Sequence, residues 1–233
     1  MSNPTRSPSG ISTAGITSLL ANFPMPAPFN SGSLPTVGVV TYASDFLSLP
    51  TGEYTRTTVG TGTLALGSVA GGAVVLTTTA GIADSETDVK VGKAFSFVAG
   101  QRAWFHTRFQ MDNATLPLVQ IGLQDAAVAA DGLYFTKAAG STSINLVKVI
   151  SSTATTLVTG VATAVANTWF DLGYYYDGVA LNVFVNDVQI ARVDSSVALT
   201  TALLTPVLTL TNSTAVARTL TVDFVLAANE VLR

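Results

Sequence analysis

The alternation of apolar and polar residues is sharpest between Trp169 and Val193, where three short strands follow one another with only tight turns between them. Phe170, Leu172, Tyr174 and Tyr176 fall on one face, and Asp177-Gly178 turns the chain. Val179, Leu181, Val183 and Val185 then alternate again, and Asn186-Asp187 leads into Val188–Val193. A period of two places successive side chains on opposite faces of a strand. Asp-Gly and Asn-Asp pairs accept the positive φ angles of tight hairpins, so the segment predicts a β-meander. The same reading predicts strands at 37–43, 63–66, 73–79, 89–98, 103–111, 118–123, 133–137, 143–150, 155–158, 205–211 and 219–226. Val and Thr dominate these runs, and Gly60-Thr61-Gly62, Gly71-Gly72 and Ala139-Gly140-Ser141 separate them, as expected for half-buried strands and their turns. In 103–111 the residues Ala103, Phe105, Thr107, Phe109 and Met111 form a core face, with Trp104, His106, Arg108 and Gln110 on the other. In 219–226, Leu220, Val222, Phe224 and Leu226 are expected to point inward. Helix is expected only as a short turn, around 13–21 or 125–130. The fold class is all-β, a two-sheet antiparallel sandwich.

The first 36 residues differ in character and predict an extended arm ahead of a sandwich spanning 37–233. Pro4, Pro8, Pro24, Pro26, Pro28 and Pro35 cluster there among Ser and Gly. The run Pro24-Met25-Pro26-Ala27-Pro28 favours polyproline-like backbone, and Phe23 and Phe29 flank it as apolar anchors. Phe23, Pro24, Pro26, Pro28 and Phe29 are therefore expected to make the arm's contacts with other subunits. The spacing gives no PxxP ligand, and Ile11–Leu20 is too interrupted by Ser, Thr and Gly for a secretory leader; the protein is expected to be made in a cytoplasm.

Composition adds a second pointer to assembly. Charged residues are 11% of the 233 residues and apolar ones 48%, against about 25% charged in an average soluble domain. No apolar run approaches the ~20 residues of a spanning helix, so no membrane partner is expected. A surface so poor in charge is expected to be covered by copies of the same chain, as a trimer, and by other subunits. A net charge of −3 with Lys and Arg scattered singly argues against direct nucleic-acid binding. The absence of cysteine excludes disulfides, thiolate metal sites and a cysteine nucleophile.

Trp169–Gly178 followed by Leu181–Asp187 resembles the concanavalin-like, laminin-G-like jelly roll, in which a strand opening on an aromatic is followed by one ending in an Asn or Asp turn. The Pro-rich arm, the missing cysteine and the charge-poor Ala/Thr/Gly/Val-rich body are similar to tailed-bacteriophage capsid decoration (cement) proteins. That likeness implies a place on the outer capsid surface of a virion and contacts with the major capsid protein, and it carries no catalytic residue. Ala130-Asp131-Gly132-Leu133-Tyr134-Phe135 is similar to the legume-lectin segment whose aspartate contacts sugar hydroxyls. This makes Asp131 and Gly132 the candidate carbohydrate-binding residues of an alternative reading, a lectin-like module of a virion fibre or surface protein. The lectin metal loop has no counterpart near 143–158.

Other candidate chemistry is incomplete. Asp84, Glu86 and Asp88 alternate and resemble the Glu-x-Asp-x-x-Glu strand of laminarinase-type glycoside hydrolases, where two carboxylates act as nucleophile and acid. Their types and spacing depart from that pattern, and a solvated acidic loop is the expectation. His106, the single histidine, is expected on a polar face in a surface or subunit contact. No nucleophile elbow or phosphate loop is present. The sequence therefore predicts no catalytic residue, no metal, no cofactor and no enzymatic role.

Overall fold

The structure is a computed structural model that describes residues 6–7, 10–11, 37–194 and 197–232. The arm residues Phe23, Pro24, Pro26, Pro28 and Phe29 and the helical turn expected at 13–21 lie outside the described residues. In chain order the strands are β1 (Arg6–Ser7), β2 (Gly10–Ile11), β3 (Val37–Ser44), β4 (Tyr54–Val59), β5 (Thr63–Leu66), β6 (Val74–Thr77), β7 (Ser85–Lys90), β8 (Ala103–Met111) and β9 (Leu118–Gln124). They continue as β10 (Gly132–Lys137), β11 (Ser143–Ile150), β12 (Thr153–Thr163), β13 (Phe170–Tyr176), β14 (Leu181–Val185), β15 (Val188–Val193), β16 (Thr205–Thr211) and β17 (Thr219–Leu232). One sheet runs β12-β11-β10-β9-β16-β7-β4, and the other runs β15-β14-β13-β8-β17-β6-β5 with β3 also paired to β17. The strand pairings within both sheets are antiparallel. β1 and β2 form a small pair of their own, and no helix occurs among the described residues.

The core lies between the two sheets. Ile121, Leu123, Leu133, Phe135, Leu146, Leu208 and Leu210 from the first meet Phe105, Phe109, Met111, Leu172, Tyr174, Val183, Leu220 and Val222 from the second. Tyr174 is completely buried, and its hydroxyl donates to the Leu133 carbonyl across the sandwich at 2.9 Å. Burial holds its pKa well above the ordinary tyrosine value, so it remains a donor. The meander is built as expected. Asp177 closes its first turn by accepting from the amides of Val179 and Ala180 at 2.8 and 2.7 Å, and Asn186 and Asp187 (φ 48° and 62°) make the second.

Three expectations are corrected. The segment 125–130 is a series of bends, closed by Asp125 accepting from the amides of Ala130 and Asp131, which spends the backbone donors a helix would need. The strand expected at 89–98 is β7, Ser85–Lys90; beyond Gly92 (φ +90°) only a single bridge, Phe95 to Leu204, remains. Along β17 the register against β8 shifts between Val222 and Phe224. This bulge inserts a residue and inverts the alternation, so Val225 and Ala227 join Leu220 and Val222 in the core while Phe224 and Leu226 pair beside Arg108 and His106 on the outer face.

Candidate functional site

β7 carries the feature with most chemical content. Its register places Asp88 opposite Leu208 and Glu86 opposite Leu210, and those leucines belong to the core; partners across a ladder share a face, so both carboxylates point between the sheets. On the other side β4 sets Arg56 opposite Asp88 and Thr58 opposite Glu86. Glu86 and Asp88 are fully buried, which corrects the expectation of a solvated acidic loop. Glu86 forms an ion pair with Arg56, whose guanidinium also donates to the Gly62 carbonyl at 2.7 Å. Gly62 gives the carboxylate room, since a Cβ there would lie 2.4 Å from Glu86 Oε2.

Asp88 is the unbalanced member. Its oxygens accept from no donor other than the neighbouring Glu86 carboxyl, and its pKa is pushed up to about 7, first by burial and then by the Glu86 charge, with Arg56 opposing and the hydrogen bond to Glu86 adding to the rise. It lines a cavity of about 450 Å³ bounded also by the Leu49–Gly52 loop, Tyr54, Arg56 and Leu64. The wall is tied across the sandwich edge, because Tyr42 of β3 donates to Glu53 at 2.9 Å and its hydroxyl meets that of Tyr54 at 2.9 Å. Burial lifts the Tyr42 pKa to about 12 and that of Tyr54 higher still. The arrangement offers a carboxyl, a guanidinium and the Tyr54 side chain beside the apolar Leu49, Pro50 and Leu64. Such a mixture of convergent polar groups and apolar wall is the usual make-up of a small-molecule site.

A second cluster sits on the outer face of the other sheet. β8 and β13 pair His106 with Gly173 and Arg108 with Asp171, and the amide of Asn186 donates to the Asp171 carbonyl at 2.9 Å, which brings the β14–β15 turn alongside. His106 Nε2 pairs with Asp171, and ligand atoms of His106, Asp171 and Asp187 all lie within 4.8 Å of one another. The three residues are 1%, 3% and 7% exposed. The surface contact expected of His106 is thereby corrected to a buried side-chain contact with Asp171. Burial and the Asp171 charge push the Asp187 pKa up to about 6, against the pull of His106.

The residues singled out in the sequence are not brought together. Asp131 is half-buried at the start of β10 and its Oδ1 accepts from Thr200 at 2.7 Å, while Gly132 is packed so that a Cβ would stand 2.9 Å from the Leu123 carbonyl. Both lie where the chain enters the buried strand β10. Asp84 lies outside β7 and accepts from the Gly81 amide at 3.0 Å and from Thr79, so of the three alternating acids only Glu86 and Asp88 share the site. Tyr54 and Arg56 went unnoticed in the sequence, although Tyr54-Thr55-Arg56-Thr57-Thr58 does carry a two-residue period.

No protein-family model and no curated protein matches the sequence. Solved structures share the fold. A Bacillus licheniformis β-glucanase is 9% identical with a TM-score of 0.56, covering 80% of this chain and 97% of its own. Peanut lectin is 10% identical at TM-score 0.57, covering 84% and 98%. The CBM2 module of the evolved Dit of Lactobacillus casei BL23 phage J-1 is 14% identical at TM-score 0.53, covering 84% and 96%. The protein therefore has the concanavalin-like jelly-roll fold. The expectation that it has no enzymatic role is corrected by the same comparison: glycosidases, glucanases and a transglycosylase stand among the structures that share its architecture, so this is a fold that carries enzymes.

Proposed function

We propose that the chain is a carbohydrate-handling jelly-roll module of a virion surface or fibre protein, and that the end of a glycan enters the edge cavity beside Asp88. The observation that carries this reading is the cavity's donor set inside this fold: about 450 Å³ is within the ~300–1,000 Å³ of small-ligand sites. Asp88, engaged only with the Glu86 carboxyl, has hydrogen-bonding capacity left for a sugar hydroxyl, since a carboxyl group offers about four lone-pair sites. The fold likeness to a phage carbohydrate-binding module and to a lectin supports the same class of ligand. A glycan array probed with the wild-type chain and with Thr51→Trp tests it. Thr51 is exposed on the cavity rim, so the indole fills the cavity without touching the buried charges. Saturable binding lost in Thr51→Trp is the expected result; no array signal, or equal signal from both chains, overturns the reading. Hydrolysis of an array-positive oligosaccharide by the wild type, reduced in Asp88→Asn, would add turnover to binding.

A second reading, decoration of the outer capsid surface through contacts with the major capsid protein and with copies of the chain as a trimer, is supported by exposed apolar side chains on the sheet edge. Val188 and Ile190 of the edge strand β15 are 61% and 44% exposed, and Val179 in the β13–β14 turn is 60% exposed. An apolar strand at an open edge favours association. Light scattering of the purified protein distinguishes the trimer expected here from a monomer, and binding to capsids lacking the protein tests its shell partner.

A further inference from the structure

We propose that His106, Asp171 and Asp187 form a binding site for a divalent transition-metal cation of the zinc class, pinning the β14–β15 turn to the face of β8 and β13. The donor set is one imidazole nitrogen and two carboxylates, a combination suited to zinc and its neighbours, with coordination positions left for water. The ligand atoms already lie within 4.8 Å of one another. Donors sharing a cation at about 2.0–2.2 Å stand about 3 Å apart, so small side-chain rotations gather them.

The independent pointer to a ligand is the pair of oxygens that nothing else satisfies. Asp171 Oδ2 and Asp187 Oδ1 meet no hydrogen-bond partner although their residues are more than nine-tenths buried. Buried carboxylate oxygens left unpaired are costly, and buried charges are normally paired or bound to a metal.

Titration of the full-length, untagged and EDTA-stripped protein with zinc chloride, read by calorimetry and thermal melting, tests the site, with cobalt(II) absorption as a readout of the ligand set. Wild type is expected to bind one zinc ion per chain and to melt at a higher temperature with zinc. The Asp187→Gly variant suits the turn and keeps the fold, and it is expected to melt no lower than wild type without metal while losing about 100-fold or more in zinc affinity, since changes in outer-shell partners alone cost about 10–100-fold. Asp194→Asn, which alters an exposed acid, should bind as wild type does. Absence of stoichiometric binding by wild type, or undiminished binding by Asp187→Gly, overturns the proposal. The glycan reading is untouched by either outcome, because its residues lie between the sheets rather than on this face.

Discussion

Replacing Asp88 by asparagine should change how stability depends on pH. The gap between the ordinary carboxyl value of 3.8 and the folded value of about 7 corresponds, at about 1.4 kcal/mol per pH unit, to an upper bound of about 4 kcal/mol. The sign follows from proton binding: between those values the folded state holds a proton that the unfolded chain has lost, so stability falls as pH rises from about 4 to about 7 and is level above that. The Asp88→Asn side chain keeps the shape without the ionisation, and it removes the repulsion with Glu86. The variant should therefore match wild type near pH 4 and exceed it at pH 8 by roughly 1–4 kcal/mol, which for a domain of this size is a melting temperature higher by about 2–4 °C per kcal/mol. Urea unfolding of both proteins at pH 4.5, 6, 7 and 8.5 measures the difference, and contributions from groups not coupled to Asp88 cancel in the comparison, leaving those of Asp88 and its neighbours Glu86 and Arg56. A difference that is flat with pH, or an Asp88→Asn protein less stable at pH 8, would refute the view that a buried carboxyl with a raised pKa lines this cavity.

Two further outcomes follow from the packing and the edges. Tyr174→Phe removes the donor to the Leu133 carbonyl and leaves that acceptor buried, so chemical denaturation should show a loss of about 1–3 kcal/mol with the fold retained by circular dichroism. Val188→Lys with Ile190→Lys places charge on the exposed edge strand and should lower the oligomeric state seen by light scattering, while an unchanged oligomer would move the interface elsewhere.

What the sequence disclosed depended on how cleanly each strand alternates. The meander was legible because Phe170, Leu172, Tyr174 and Tyr176 face one core and the turn residues at 177–178 and 186–187 have their own chemistry. β7 was misplaced because Ser85-Glu86-Thr87-Asp88 reads as a solvent-facing run, yet its two acids are the residues turned inward, balanced in part by Arg56 from a neighbouring strand that is itself almost wholly polar. Local sequence cannot supply that partner, which lies 30 positions away. β17 misled from residue 223 onward because one inserted residue flips every later side chain, and Phe224 and Leu226 are as apolar as Val225 and Ala227, which take the core positions instead. The outer-face cluster was half visible. His106 and Asp171 each alternate away from the core, but their meeting requires the β8–β13 pairing, and Asp187 joins only through the turn.

Glycan entry at the edge cavity is best checked by a heteronuclear NMR titration of the labelled chain with an array-positive saccharide. The largest shifts are predicted at Thr51, Gly52, Tyr54, Arg56, Leu64 and Asp88, around the edge cavity, with Asp131 and Gly132, three strands away across the sheet order β10-β9-β16-β7, left in place. Shifts centred on Asp131 and Gly132, or on the outer face around His106, would contradict it.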